Sequence, residues 1–262
     1  YSFVEITNRG SLDGLQSNYG IIFSYGSTPK IYNYGAISSS QSLMSAVTTI
    51  GDYAFIENEP TGTINLTGTS SAGFRSDGSY STVNNYGSII LSGNQSSGLY
   101  SLGSNNTLSN SGAITASGDL AAGMASFDLN NVSGAGSNTT LLNTGTLTVS
   151  GNISAGLSAI TTSSTLTNSG TISVSGTLSA GIAAAGLSQT LTNSAAGTIT
   201  TTGSGSPGII SLGTATTITN AGTITTQGNA YQISVGTLTT GYGNVTFTST
   251  FELGATGIVN LG

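Results

Sequence analysis

The chain lacks cysteine, histidine and tryptophan entirely, and its 262 residues include only 3 Lys and Arg against 9 Asp and Glu. Without thiol or imidazole groups, disulfide scaffolds, zinc sites and Cys- or His-based catalysis lack their reacting atoms. Nucleic-acid binding needs many cationic side chains, whereas this chain offers Arg9, Lys30 and Arg75 alone. The composition therefore excludes nucleic acid as a partner and predicts no metal or cofactor.

Long apolar runs are also missing. No stretch approaches the roughly 18 apolar residues of a membrane span, so we expect no membrane insertion by this segment. Disorder is disfavoured, because 36% of the residues are hydrophobic and only 3 are proline. The chain begins with Tyr1 and shows no basic leader with an apolar stretch, so we expect a single domain over residues 1–262 that is part of a longer chain.

A pattern Asn-x-Gly-x-(Ile/Leu) repeats about every 25 residues and organises the whole sequence. Two copies, at Asn58 and Asn193, have two extra residues before the glycine. The interval from Asn110 to Asn143 is longer by eight residues, and we place this insertion loop at residues 127–140. The repeat anchors are Asn8, Asn33, Asn58, Asn85, Asn110, Asn143, Asn168, Asn193 and Asn220.

Apolar residues keep step with these anchors. One column lies two residues before each asparagine, a second follows each Asn-x-Gly, and a third follows a glycine in Ser/Ala-rich sequence, as at Leu157 and Ile182. Between them, small polar and apolar residues alternate in runs of three to five, which is typical of short strands. Three strands per 25 residues predict an all-β fold, a right-handed parallel β-helix (β-solenoid) of nine to ten coils.

The asparagine column has a structural explanation in such a fold. Asparagine tolerates left-handed backbone, and its side-chain amide can bond the asparagine one coil away, so we expect a buried asparagine ladder. The nearby glycine is expected to supply a positive φ at a tight corner. Ligand binding by this column is the less favoured interpretation.

With this pattern laid out, the chain resembles the passenger domains of bacterial autotransporters and related large surface adhesins. Residues 143–228 carry the resemblance best, through Asn143-Thr-Gly-Thr-Leu, Ser154-Ala-Gly-Leu, Asn168-Ser-Gly-Thr-Ile and Ser179-Ala-Gly-Ile. The resemblance implies a β-helix that is exported and displayed outside the cell, on the bacterial surface. It does not identify a receptor.

Enzymatic chemistry finds little support. Polysaccharide-active β-helices need clustered carboxylates with basic groups nearby, whereas the acids here fall in different columns of the repeat. Glu57 and Glu59 flank Asn58 and are expected to be solvated corner charges, with a calcium-binding turn as the alternative. We therefore predict that the chain is not an enzyme.

Three outward features remain open. Thr-x-Thr recurs in successive coils, as at Thr165/Thr167 and Thr190/Thr192, which suits either exposed strand positions or an ice-binding surface. Nine of the eleven tyrosines lie in residues 1–100, where they either cover the first coils of the core or form exposed contact anchors. The insertion is a candidate contact loop with Phe127, Asp128, Asn130 and Asn131.

These observations predict a non-enzymatic extracellular surface protein, an adhesin stalk or passenger that makes multivalent contacts with host cells, glycans or matrix. The alternative is a structural subunit that assembles end to end, with itself or with neighbouring segments, into a fibre or surface layer. An ice-binding or polysaccharide-active β-helix is less favoured.

Overall fold

The computed structural model describes residues 4–14, 20–127, 137–213 and 215–227, together with the backbone of short strands between residues 231 and 261. All of these elements are strands, and the described ranges contain no helix, hence none that could span a membrane. The strands wind into a parallel β-solenoid in which each turn of about 25 residues contributes one strand to each of three sheets.

The strands follow one another in groups of three. The first five turns contain β1 (Glu5–Asn8), β2 (Ser11–Asp13), β3 (Ile22–Ser24), β4 (Lys30–Asn33), β5 (Ala36–Ser39), β6 (Ser45–Thr49), β7 (Phe55–Asn58), β8 (Thr63–Leu66), β9 (Ala72–Ser76), β10 (Thr82–Asn85), β11 (Ser88–Leu91), β12 (Ser97–Ser101), β13 (Thr107–Asn110), β14 (Ala113–Ala116) and β15 (Ala122–Phe127). The next three contain β16 (Thr140–Asn143), β17 (Thr146–Val149), β18 (Ala155–Ile160), β19 (Thr165–Asn168), β20 (Thr171–Val174), β21 (Ala180–Ala185), β22 (Thr190–Asn193), β23 (Thr198–Thr201) and β24 (Ile209–Ser211). The remaining strands are β25 (Thr216–Asn220), β26 (Thr223–Thr226), β27 (Tyr231–Ile233), β28 (Gly236–Thr240), β29 (Val245–Thr246), β30 (Glu252–Leu253) and β31 (Ile258–Leu261).

Every third strand joins the same sheet. Sheet A runs β1-β4-β7 and onward to β31, sheet B runs from β2 to β29, and sheet C runs from β3 to β30. All pairs are parallel, and the repeat anchors lie opposite one another, as in Asn85↔Asn110 and Asn110↔Asn143. The register places the two extra residues of the longer copies in the corner between sheets A and B, because Asn58 and Thr63 both stay in column. The predicted all-β fold, a parallel β-solenoid with about 25 residues per turn, is confirmed.

The core lies inside the three sheets and is built from the three predicted apolar columns. Leu108, Ile114 and Met124 supply one turn of it, and their counterparts in the neighbouring turns are equally buried. Burial of each such side chain contributes about 1.5–3 kcal/mol. Since each turn packs only on its neighbours, the core forms one continuous column of contacts along the axis.

The prediction that the glycine of Asn-x-Gly adopts a positive φ was wrong. Neither the repeat asparagines nor these glycines adopt positive φ. A Cβ atom on Gly170 would instead lie 2.2 Å from the carbonyl oxygen of Gly145 in the preceding turn, and one on Gly112 would lie 2.1 Å from that of Gly87. The glycine column therefore exists because stacked backbones approach too closely for any side chain.

Positive φ occurs at the other two corners, and mostly in residues other than glycine. One column lies between sheets B and C and the other between sheets C and A. Ile153 (φ 52°) is the least expected member, because β-branched residues rarely adopt this conformation. The two columns comprise Leu43, Ser70, Gln95, Leu120, Ile153, Leu178 and Gly205, and Thr28, Tyr53, Tyr80, Asn105, Asn138, Ser163, Ser188 and Ala215.

Candidate functional site

The nine repeat asparagines form a continuous row of side-chain hydrogen bonds parallel to the solenoid axis. Asn8 Nδ2 donates to Asn33 Oδ1 (2.7 Å), and the same bond joins every following pair up to Asn193 and Asn220 (2.8 Å). All nine side chains are buried. From Asn8 to Asn193, each side-chain amide in this asparagine ladder therefore binds the asparagine of the next turn rather than a ligand.

The second amide hydrogen is also used in most ladder residues. Asn143 Nδ2 lies 3.3 Å from the Gly145 carbonyl, and Asn58 Nδ2 lies 3.1 Å from that of Gly62. The side chains therefore bind both the next turn and the backbone of their own corner. Because a buried amide left unpaired costs about 1–3 kcal/mol, the ladder fixes the register between turns.

Two further buried polar columns run along the solenoid and were not predicted from the sequence. At the corner before sheet C, the hydroxyl of a serine in one turn accepts from a backbone N–H in the turn before it, as from Ser154 N to Ser179 Oγ (3.0 Å). At the corner before sheet A, Ser81 N donates to Asn106 Oδ1 (2.7 Å). The first column is visible in the Ser-Ala-Gly sequences, whereas the second changes residue type in nearly every turn: Ser81, Asn106, Thr139, Ser164, Gln189 and Thr216.

The outside of sheet C and its corner to sheet A carry exposed apolar side chains over the first five turns. Tyr25 is 81% exposed, Tyr53 57% and Tyr80 54%. The rings of Tyr53 and Tyr80 stack with their centroids 5.2 Å apart and an interplanar angle of 13°. We call this surface the aromatic ridge; it comprises Tyr25, Ile50, Tyr53, Tyr80, Tyr100 and Phe127.

An ion pair supports the far end of the ridge. Arg75 Nε and Nη2 donate to the two carboxylate oxygens of Asp77 (2.7 and 2.9 Å), and the guanidinium lies 5.9 Å from the centroid of Tyr100. The Tyr100 ring lies 5.8 Å from that of Phe127. Burial raises the pKa of Tyr100, and the hydrogen bonds to Asp77 raise the pKa of Arg75. These side chains form a charge-balanced, half-buried patch.

The described tyrosines between residues 25 and 100 do not cover the core. All of them lie on outer faces or corners and are exposed or half-buried, which leaves the interpretation as contact anchors. Of the predicted contact loop, Phe127 ends β15 and packs against Tyr100. Asp128, Asn130 and Asn131 lie outside the described residues.

The acids do not assemble a reaction centre within the described ranges. Glu57 points outward from β7 and accepts from Asn84 Nδ2 (2.9 Å), while Glu59 lies in the following corner. No group of three Asp or Glu side chains there could hold a metal ion. The described part of the chain therefore holds no set of acidic calcium ligands.

The comparisons with known proteins point to a bacterial surface protein. Residues 2–180 match the family model of the BigA third pectate lyase-like domain. Comparisons with the curated proteins and with the solved structures give no significant match. The family combines a pectate lyase-like fold with a place in a bacterial surface protein, which agrees with the solenoid described above.

Proposed function

Because the chain belongs to the family of the BigA third pectate lyase-like domain, we propose that it is a non-enzymatic segment of a bacterial surface adhesin. In this role the solenoid is a stiff stalk or passenger outside the cell. The observation that carries the proposal is the asparagine ladder, which ties nine turns together without interruption.

The mechanism is mechanical and multivalent. A stacked rod advances about 4.8 Å per turn, so its outer faces present similar side chains at regular intervals. Exposed tyrosines are favoured anchors in protein interfaces, and the aromatic ridge places several of them along one side of the first five turns. Many weak contacts with a cell, glycan or matrix surface add to a firm attachment.

Adhesion of a displaying bacterium tests this proposal. The chain is displayed on a non-adherent strain, and attachment to cultured cells and to matrix-coated surfaces is counted. We expect display to confer attachment, and the double substitution Tyr53→Ser/Tyr80→Ser to reduce it. The matched control is Tyr86→Ser, which removes a 44% exposed tyrosine from the corner between sheets A and B.

Two outcomes would contradict the proposal. If the correctly displayed chain confers no attachment, the proposed adhesin function is wrong. If Tyr86→Ser reduces attachment as much as the double substitution does, the aromatic ridge has no special role in attachment. Electron microscopy of the displayed and shed protein over a dilution series distinguishes the structural alternative. Continuous fibres whose axial repeat matches one chain would favour end-to-end assembly over tethered single stalks.

A further inference from the structure

The second half of the solenoid has a surface unlike that of the first. No charged residue lies between Asp128 and Glu252, and no aromatic residue lies between Phe127 and Tyr231. In turns six to nine the outward positions of sheets A and B are almost all threonine. The array comprises Thr140, Leu142, Thr165, Thr167, Thr190, Thr192, Thr217 and Thr219 on sheet A, and Thr146, Thr148, Thr171, Ser173, Thr198, Thr200, Thr223 and Thr225 on sheet B.

The strand register aligns these side chains in two directions. Thr165 lies opposite Thr190, and Thr190 lies opposite Thr217, so that one threonine column runs along the axis. Each strand adds a second threonine two residues further on. Successive turns are separated by about 4.8 Å, and alternate residues of a strand by about 6.6 Å. The hydroxyl and methyl groups therefore form a two-dimensional array with fixed repeats.

The array is preorganised and available to solvent. Threonine is β-branched, so χ1 has few accessible rotamers and little side-chain entropy is lost when the group is held in place. Within the described residues, the hydroxyls of Thr167 and Thr192 have no hydrogen-bond partner in the protein, and both side chains are half-buried. Their donors and acceptors are therefore free for ordered water.

The chemistry of the surface narrows what it can bind. Attraction to a charged surface would require charged side chains, and stacking on sugar rings would require aromatic side chains; the array has neither. Ordered water needs only hydroxyls and methyl groups at regular intervals, and the surface planes of ice repeat at distances of similar size. We propose that the threonine array of sheets A and B binds ice crystals, an activity separate from adhesion through the aromatic ridge.

Partition of the protein into slowly grown ice is the test. The purified chain and an unrelated control protein are frozen onto a cold surface from the same solution, and the protein content of ice and liquid is compared. We expect the chain to be enriched in the ice and to produce thermal hysteresis at millimolar concentration. Thr192→Lys on sheet A and Thr200→Lys on sheet B introduce a charge into each half of the array and should abolish or strongly reduce the enrichment.

The matched control introduces the same charge on the third face. Ser158→Lys lies on the outside of sheet C, two turns before Thr192 and Thr200, where the side chain is half-buried, and should leave ice enrichment unchanged. Circular dichroism verifies the fold of each variant. Wild-type protein that stays in the liquid would overturn the proposal, as would equal behaviour of all three folded variants. A third outcome would also overturn it: the wild-type protein self-associates in sedimentation experiments but is not enriched in ice, and Thr192→Lys abolishes the self-association. The array would then mediate contacts between copies of the chain.

Discussion

Each ladder asparagine uses a side chain that can donate to one neighbouring turn and accept from the other. Asn168 Nδ2 donates to Asn193 Oδ1 (2.9 Å), while its Oδ1 accepts from Asn143 (2.8 Å). Serine could not span the same distance, and aspartate would have no hydrogen to donate. The geometry therefore requires asparagine, because only its planar amide satisfies both neighbours in every turn.

Substitution of one ladder residue should destabilise the protein more than the loss of a single side chain would suggest, because two neighbouring turns lose a hydrogen-bond partner. Asn168→Ala removes the acceptor of one amide hydrogen of Asn143 and the donor to Asn193 Oδ1, so we expect the free energy of unfolding to fall by about 2–4 kcal/mol. Urea denaturation measures the change. Asn65→Ala on the exposed face of sheet B is the control, and a loss of similar size there would show that the ladder has no special weight.

The glycine column can be tested in the same way. Gly170→Ala drives a Cβ atom into the Gly145 carbonyl, and we expect a loss of about 3 kcal/mol or more. Gly10 belongs to the same column, but a Cβ there meets nothing within 4 Å. Gly10→Ala should therefore stabilise by about 0.4–1 kcal/mol through the unfolded chain. Equal effects at both positions would refute the close-approach explanation.

Strain at the corner between sheets B and C predicts a stabilising substitution. Left-handed backbone costs about 1–2 kcal/mol in most residues, and asparagine tolerates it better. Ile153→Asn should therefore raise the free energy of unfolding by about 1 kcal/mol, since the isoleucine is 57% exposed and loses little packing. Ile160→Asn is the control, because Ile160 lies at an exposed strand position without positive φ. Urea denaturation of both variants should show a gain in the free energy of unfolding for Ile153→Asn and none for Ile160→Asn.

Titration of Tyr100 reports on the ridge. Burial raises its pKa, so the folded protein keeps the proton while the unfolded chain loses it near pH 10. The stability associated with this group is present below about pH 10 and is lost as pH rises through the raised value. Because the pKa of Tyr34 is also raised, phenolate absorbance should show a late transition that Tyr100→Phe diminishes and that Phe127→Ala shifts in part to lower pH. An unchanged transition in Phe127→Ala would show that Phe127 does not bury Tyr100.

At the scale of elements, the strands and the apolar columns could be predicted. The alternation of polar and apolar residues and the period of about 25 residues persist, although the individual residue types differ from turn to turn. The buried column that contains Ser81, Asn106 and Gln189 could not be predicted, since its members share only a polar atom at one depth. The reason for the glycine column could not be predicted either. Both a close approach of two backbones and a positive φ select glycine, so the sequence alone does not distinguish the two causes. The Arg75–Asp77 pair was missed although residues two apart share a strand face.

At the scale of the whole molecule, register is the property that every turn must preserve. Deletion of residues 144–168 removes one full repeat and joins Asn143 to Ser169, so all columns stay aligned. We expect this variant to fold into a rod shorter by about 4.8 Å, as measured by small-angle X-ray scattering. Deletion of residues 148–171 removes one residue fewer than a repeat and joins Leu147 to Ile172 inside the strand of sheet B, so that Ile172 and Val174 turn outward; that variant should not fold. Folding of both variants would contradict a register fixed by the ladder.

The same modularity has a genetic consequence. Since the ladder and the apolar columns present the same surface to each neighbour, an in-frame duplication or loss of one repeat in the gene alters the reach of the protein without disturbing its packing. Rod length can therefore drift between lineages by unequal recombination. The tyrosines and threonines that the turns display lie outside the packed columns, so that the aromatic and neutral halves can change without altering the scaffold.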